Sequence, residues 1–182
     1  MNELDIILNE MHAVLQKVNK PSIDHAVAVL RSGKRIFVVG EGRSGLIAKS
    51  LAMRLMHLGM TVYVVGETIT PSLATGDVLF AVSGSGTTKS VLLSAQKARE
   101  LGCPVLAVTT DPHSELASAA TDILHIPAAT KYRREGEPAS VQPLGSLFDQ
   151  CAHILFDAIC LCFANLHAVD HREALAKHSN LE

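Results

Sequence analysis

Five short apolar runs, mostly separated by stretches with helical spacing, constrain the fold of this 182-residue chain. Each run has the length of a strand, and near-continuous hydrophobicity is typical of strands that are buried on both faces of a parallel sheet. The alternation of such strands with helices favours an α/β architecture with right-handed crossovers. The predicted strands cover residues 35–39, 61–65, 78–82, 104–109 and 122–126.

The segments on either side of this alternating region are predicted to be helical. Residues 2–30 carry apolar positions at helical spacing before and after Pro21, which predicts two amphipathic helices. Residues 145–182 are predicted to form a long apolar helix and a polar tail, whereas residues 128–143 lack a pattern and are predicted to be an exposed loop. The basic cluster at residues 131–134 is predicted to be solvated, and a lid over the ligand cleft is the lesser alternative. Because no linker divides the chain, we expect residues 1–182 to form one domain.

The segment that follows the third strand has the features of an anion site. It reads Ser-Gly-Ser-Gly-Thr-Thr over residues 83–88 and lies where a strand ends and a helix begins. A helix start presents unpaired N–H groups and a partial positive charge, and Gly84 and Gly86 let an anion approach the backbone. The hydroxyl donors are Ser83, Ser85, Thr87 and Thr88. A turn with an ordinary N-cap needs only one hydroxyl, so we favour phosphate binding over a plain turn and name this segment the hydroxyl turn.

A second glycine-rich loop follows the first strand. Residues 40–45 read Gly-Glu-Gly-Arg-Ser-Gly, which formally matches the Gly-x-Gly-x-x-Gly pattern of dinucleotide sites, and Glu67 lies where a ribose-binding carboxylate would follow the next strand. Alternatively, Gly42, Arg43 and Ser44 bind a substrate hydroxyl or phosphate directly. We favour the second hypothesis because the stronger anion loop follows the third strand, and the first stays open.

The composition of the chain argues against several classes of function. A formal net charge of −2 provides no basic field for nucleic-acid binding. No apolar run approaches the roughly 20 residues that span a bilayer, and the acidic N-terminus is unlike a signal peptide, so we expect a cytoplasmic protein with no membrane contact. The four cysteines lack metal-ligand spacing with each other or with histidine, so we expect buried free thiols and no metal site.

These motifs resemble those of the sugar isomerase (SIS) domain family, over nearly the whole chain. The segments Arg-Leu-Met-His-Leu-Gly and Val-Gly-Glu-Thr are the most specific ones, and Asp149 is a departure, since the family pattern has Glu at this position. The resemblance implies a three-layer αβα sandwich with a five-stranded, parallel, flavodoxin-like sheet that assembles as a homo-oligomer, either a dimer or a tetramer. The motifs lie at residues 40–45, 52–59, 65–71, 83–88, 143–148 and 177–182.

The resemblance also implies a reaction. An isomerase of this kind moves the ketone between C3 and C2 of a six-carbon ketose phosphate through an enediol, and it needs no cofactor and no metal. Its partner would be a small sugar phosphate. Two alternatives are an isomerase of another sugar phosphate, which interconverts an aldose and a ketose, and a module that binds a phosphosugar without catalysis.

Three residues are candidates for the proton transfers that an enediol mechanism requires. Asp149 is the first choice, because it lies one turn into the long C-terminal helix at the position of the family's carboxylate. Glu67 follows a strand end, and His178 in the tail could reach the site of a neighbouring subunit. Each has a simpler interpretation as a capping, turn or solvated side chain. His57 and His125 are predicted to have structural roles only.

Overall fold

The computed structural model describes residues 2–181, which form seven helices and five strands. The strands are β1 (Ile36–Gly40), β2 (Val62–Val64), β3 (Val78–Val82), β4 (Val105–Thr109) and β5 (Asp122–His125). The helices are α1 (Glu3–Leu15), α2 (Lys20–Ser32), α3 (Gly42–His57), α4 (Lys89–Glu100), α5 (Glu115–Ala119), α6 (Ser146–His167) and α7 (His171–Leu175). The predicted alternation of strands and helices is therefore confirmed.

All five strands are parallel and lie in the order β2-β1-β3-β4-β5. This is the flavodoxin-like order, in which the chain reverses its direction of progress across the sheet between β1 and β3. Gly40, the last residue of β1, is in register with Val82, the last residue of β3. The loops that follow these two strands therefore begin side by side, at the position where open α/β sheets bind ligands.

Helices cover the two faces of the sheet unequally. One core, between the sheet and α1, α2, α3 and α6, holds most of the buried apolar side chains. The other core is smaller and lies between the sheet, α4 and α5. Together these layers form the three-layer αβα sandwich that was expected, with strands such as β3 and β4 buried along their whole length.

The break between the two N-terminal helices differs from the prediction. Pro21 lies in the first turn of α2, and the side chain of Asn19 caps this helix by accepting a hydrogen bond from the backbone N–H of Ser22. Proline is tolerated in the first turn because its missing N–H has no partner there in any case. The proline therefore belongs to the first turn of the second helix, and the break between the two helices lies before it.

The long helix α6 has the length and composition of a membrane-spanning helix. The sequence analysis had found no apolar run long enough to span a bilayer. It has 22 residues, and 56% of its most apolar 18-residue window is buried inside the fold. It packs against α1, α2 and α3. Its hydrophobicity is therefore accounted for as that of a core helix.

Candidate functional site

A cleft of about 410 Å³ opens at the carboxyl ends of β1 and β3. Three segments of the chain that are distant in sequence form its walls: the loop after β1, the hydroxyl turn after β3, and the chain that leads into α6. The residues that line the cleft are Glu41, Gly42, Arg43, Ser44, Val82, Ser83, Gly84, Ser85, Thr88, Thr130, Lys131, Leu144, Gly145, Phe148 and Asp149. The cleft thus lies where the topology of the sheet predicts a ligand site.

The hydroxyl turn contributes its donors to the floor of this cleft. Ser83 Oγ and Thr88 Oγ1 lie 2.8 Å apart, and Ser83 Oγ also accepts a hydrogen bond from the backbone N–H of Gly86. Thr87 does not line the cleft, and its hydroxyl donates a hydrogen bond to Ser85 Oγ. Three of the four predicted hydroxyls, those of Ser83, Ser85 and Thr88, therefore line the cleft.

The two glycines of the hydroxyl turn allow its backbone conformation and its close packing on neighbouring elements. Gly86 has φ of +65°, and a Cβ at this position would lie 2.1 Å from Ser114 Oγ. At Gly84, a Cβ would lie 2.9 Å from the ring of Phe148. Gly86 does not line the cleft, so its contribution is to let the turn pack on the N-terminus of α5. Gly84 allows α6 to approach the turn closely.

In the segment after β1, the glycines allow α3 to pack closely on its own strand, and the polar side chains line the cleft. A Cβ on Gly45 would lie 2.6 Å from the carbonyl oxygen of Gly40, so α3 starts in direct contact with the end of its own strand. Arg43 Nε lies 3.3 Å from Asp149 Oδ2, and Ser44 Oγ donates a 2.9 Å hydrogen bond to Asp149 Oδ1. The close approach of Gly45 to Gly40 gives these two glycines a packing role that requires no dinucleotide.

Asp149 is the buried carboxylate of the cleft. It is only 5% exposed, although it lines the cavity. Burial raises the pKa of Asp149 above its ordinary value, and the hydrogen bond from Ser44 and the charge of Arg43 oppose that shift without cancelling it. A carboxylate in these surroundings is a stronger base than an exposed one. The position therefore suits a group that accepts a proton from carbon.

The other two candidates for proton transfer do not line the cleft within this chain. Glu67 pairs with Lys49 on α3, 3.1 Å away, and its side chain is 48% exposed. His178 stacks on His57, with ring centroids 5.2 Å apart, at the C-terminal end of α3. The cleft meets the other end of this helix, about 22 Å away at 1.5 Å per residue. His57 is buried, as its predicted packing role requires.

Residues 130–145, which we name the strap, form a wall of the cleft that the sequence interpretation had considered only as the lesser alternative for residues 131–134. The prediction of a wholly exposed loop over 128–143 is wrong, because Thr130 and Gln142 are buried and Thr130, Lys131 and Leu144 line the cleft. The strap lacks helix and strand, so no periodicity could reveal it. The available signal was the pair Thr130-Lys131 a few residues after the end of β5, beside the other loops at the same edge of the sheet.

Glu41 also lines the cleft, and no role was predicted for it. The hydroxyl of Ser90, in the first turn of α4, donates a 2.7 Å hydrogen bond to Glu41 Oε1. This bond ties the loop after β1 to the helix that follows the hydroxyl turn. Within residues 2–181, no three His, Cys, Asp or Glu side chains are grouped so that they could hold a metal ion.

Comparisons with known proteins agree with this geometry. The SIS domain family matches residues 29–154. A 3-hexulose-6-phosphate isomerase from Bacillus subtilis is 40% identical over 97% of this chain and 95% of its own length, and one from Mycobacterium gastri is 39% identical over 100% and 90%. A Methanococcus jannaschii protein, whose crystal structure led to the inference of that same function, is 32% identical, with a TM-score of 0.87 over the full length of both chains. The chain therefore belongs to the SIS domain family.

Proposed function

We propose that this protein is a 3-hexulose-6-phosphate isomerase, which interconverts D-arabino-3-hexulose 6-phosphate and fructose 6-phosphate. The observation that carries the proposal is the buried carboxylate of Asp149, which lines the same cleft as the hydroxyl turn. The cleft therefore combines donors for a phosphate with a base. The names of the relatives that match nearly the full length of the chain support the choice of substrate.

In the proposed reaction, Asp149 removes the proton on C2 of the 3-ketose. The electron pair of the broken C–H bond forms the C2–C3 double bond of an enediolate, and the carbonyl electrons move to O3. A proton then adds to C3, while O2 loses its proton and becomes the new carbonyl oxygen and O3 is protonated. Arg43 and Ser44, which contact the carboxylate, hold it in place during both proton transfers.

The hydroxyl turn binds the phosphate in this proposal. The hydroxyls of Ser83, Ser85 and Thr88 line the cleft, and α4 begins at Lys89, directly after Thr88. Unpaired N–H groups and the partial positive charge of a helix N-terminus favour a bound anion. Phosphate bound here would fix the far end of the sugar, so that C2 and C3 stay near the carboxylate.

We further propose that the protein acts as a homo-oligomer in which His178 and Glu67 approach the cleft of a neighbouring subunit. The support for this proposal is their position in the single chain, where neither lines its own cleft. His178 would then carry protons between O2 and O3, a task that suits an imidazole near neutral pH.

The test of the function is hydrogen exchange from fructose 6-phosphate in deuterated water, followed by NMR. A 3-hexulose-6-phosphate isomerase exchanges the hydrogen on C3 of fructose 6-phosphate, because C3 of this sugar is protonated from the enediol. An aldose–ketose isomerase that acts on this sugar would exchange a hydrogen on C1. If fructose 6-phosphate binds in calorimetry but no carbon exchanges, the protein is a binding module and the proposal is wrong.

A further inference from the structure

Glu10, on α1, fastens the strap to the body of the protein. Its carboxylate accepts three hydrogen bonds from the strap: from Ser140 Oγ at 2.6 Å, from the backbone N–H of Val141 at 2.9 Å and from Gln142 Nε2 at 2.9 Å. Although burial opposes its ionisation, these bonds leave the pKa of Glu10 lowered from its ordinary value. A charged acceptor with three donors is a strong local anchor, and it lies 130 residues away in sequence from the segment that it holds.

The strap is also braced from within. Glu137 accepts hydrogen bonds of 2.7 Å from both the backbone N–H and the hydroxyl of Thr130. The guanidinium of Arg133 donates to the carbonyl oxygens of Thr130 and Gln142 and so joins the two ends of the strap. These bonds fix the backbone at Thr130, and Lys131 follows directly. The strap is therefore an ordered wall of the cleft, although it has no regular secondary structure.

Two residues of the strap have a left-handed backbone conformation, which further indicates that the strap adopts one specific structure. Arg133 has φ of +49° and Leu144 has φ of +53°. This region is unfavourable for a residue with a side chain, so the surrounding contacts must impose the conformation. Leu144 is 70% exposed and lines the cleft. Such unfavourable conformations are concentrated at ligand sites.

The strap contributes a positive charge to the cleft through Lys131. Two of the lining residues are cationic, Arg43 and Lys131, and Arg43 already pairs with Asp149. Lys131 takes part in none of the ion pairs that residues 2–181 form, and its ammonium lies 5.1 Å from the ring centroid of Tyr132. Arg134 donates a hydrogen bond to the backbone carbonyl of Ser85, so the strap contacts the hydroxyl turn three residues after Lys131.

We propose that the strap presents Lys131 to the phosphate of the substrate, so that Lys131 is a phosphate-binding residue and Glu10 is a positioning residue that acts through the strap. This inference rests on the proposed function. The hydroxyl turn supplies neutral hydroxyl donors and the partial charge of a helix N-terminus, whereas the phosphate of a sugar phosphate carries close to two negative charges near neutral pH. Lys131 supplies the missing counter-charge, and an ammonium on a flexible stem suits an anion that enters and leaves in every turnover.

The first test compares Lys131→Met with Lys131→Arg, and it uses Lys17→Met as the matched control on an exposed lysine of another segment. We expect Lys131→Met to raise the KM for fructose 6-phosphate about tenfold at little cost in kcat, the loss of one charge-assisted contact. The inhibition constant of inorganic phosphate should rise by the same factor. Lys131→Arg should stay within about twofold of the parent. An unchanged phosphate constant in Lys131→Met would overturn the assignment.

The second test asks whether Glu10 holds the strap in place. It measures the rate of trypsin cleavage after Lys131, Arg133 and Arg134. Glu10→Gln places an amide N–H₂ against the donors of the strap, so we expect faster cleavage there and a higher KM, with kcat nearly constant. Glu3→Gln, on the same helix and remote from the strap, is the control. Should Glu10→Gln not fold, Ser140→Ala removes one of the three bonds to Glu10, together with the hydrogen bond that Ser140 Oγ accepts from the backbone N–H of Gln142, and it should show the same trend. Unchanged cleavage and KM in both variants would refute the anchor.

Calorimetry with inorganic phosphate separates this inference from the proposed function, because it requires no turnover. If the protein is inactive on hexulose phosphates but Lys131→Met still weakens phosphate binding, the function is wrong and the strap assignment stands. If the protein is an active isomerase and Lys131→Met binds phosphate like the parent, the function stands and the strap assignment is wrong.

Discussion

The hydroxyl of Ser44 donates a hydrogen bond of 2.9 Å to Oδ1 of Asp149, and this bond joins the first turn of α3 to the first turn of α6. The two residues are 105 positions apart in sequence. Ser44 lies at the start of the helix that follows β1, and Asp149 lies at the start of α6. The bond therefore fixes the candidate base relative to the first turn of α3, which also lines the cleft.

Replacement of this base should abolish proton transfer without unfolding the protein. We expect Asp149→Asn to lower kcat by at least about 100-fold, since a positioned general base contributes 10² or more. The measurement is the exchange of the C3 hydrogen of fructose 6-phosphate, with circular dichroism as the check on folding. Asp157→Asn is the matched control, because Asp157 lies on the same helix with an exposed side chain paired to His153. Equal loss in both variants would remove Asp149 from the role of base.

The pH dependence of kcat/KM should show the effect of the Ser44 hydrogen bond on the pKa of Asp149. The hydrogen bond favours the ionised form of Asp149 and so lowers its pKa against the larger effect of burial, which raises it. Ser44→Ala removes the lowering contribution, so the pKa of Asp149 should rise further. Because the base must be ionised, the acidic limb of the kcat/KM profile should move to higher pH. A limb that stays in place or moves to lower pH would contradict this assignment.

Replacement of Gly86 should lower the free energy of unfolding through a steric clash as well as through the unfavourable backbone angle. Gly86→Ala adds a Cβ that meets Ser114, whereas Gly102→Ala adds one at φ of +74° with no atom within 4 Å. The second variant should therefore lose only the backbone cost of about 1–2 kcal/mol, and Gly86→Ala should lose more. Urea unfolding gives both values. Equal losses would show that the clash with Ser114 is relieved at no cost.

Mixed oligomers can decide whether His178 acts in the cleft of a neighbouring subunit. Asp149→Asn and His178→Gln should each be nearly inactive alone. When the two are unfolded together and refolded as a mixture, some clefts should receive an intact Asp149 from one chain and an intact His178 from the other, and activity should return in part. Refolding of each variant separately is the control. The absence of recovery in a mixture that does form oligomers would contradict action between subunits.

The cysteines should differ in their reactivity toward a thiol reagent. Burial raises the pKa of Cys151 and Cys160 to about 12 and also raises that of Cys103, so few of these thiols are ionised at pH 8. Cys162 is the half-buried one. We expect the folded protein to label fast at Cys162 at most, and all four sites to react in denaturant. Rapid labelling of Cys151 in the folded state would show that α6 opens.

The sequence was sufficient for the sheet and for two of the three walls of the cleft. Strands buried on both faces are hydrophobic along their whole length, so β1, β3 and β4 stand out, and the loops that follow β1 and β3 contain the predicted Ser44 and the hydroxyl turn. Asp149 could be found only through the family resemblance. Its helix begins 58 residues after the end of the hydroxyl turn, and nothing in its own periodicity indicates which strand end it approaches.

The strap and the surroundings of Glu67 could not be predicted for physical reasons. Hydrogen bonds between side chain and backbone hold the strap, and such bonds leave no repeating pattern in the sequence. The bond between Val141 and Glu10 joins residues that are 131 positions apart in sequence. Glu67 does follow a strand end as predicted, but β2 is the edge strand, and the carboxylate pairs with Lys49 on α3 outside the cleft.

The placement of Asp149 on the core helix α6, with Lys131 on an irregular segment, has a consequence for how related proteins could diverge. Changes around Asp149 would disturb the packing of a 22-residue buried helix, so the proton-transfer chemistry is under strong structural constraint. The strap can accept insertions and replacements at little cost to the core. We therefore expect substrate preference in this family to evolve through the residues between β5 and α6, while the carboxylate stays where it is.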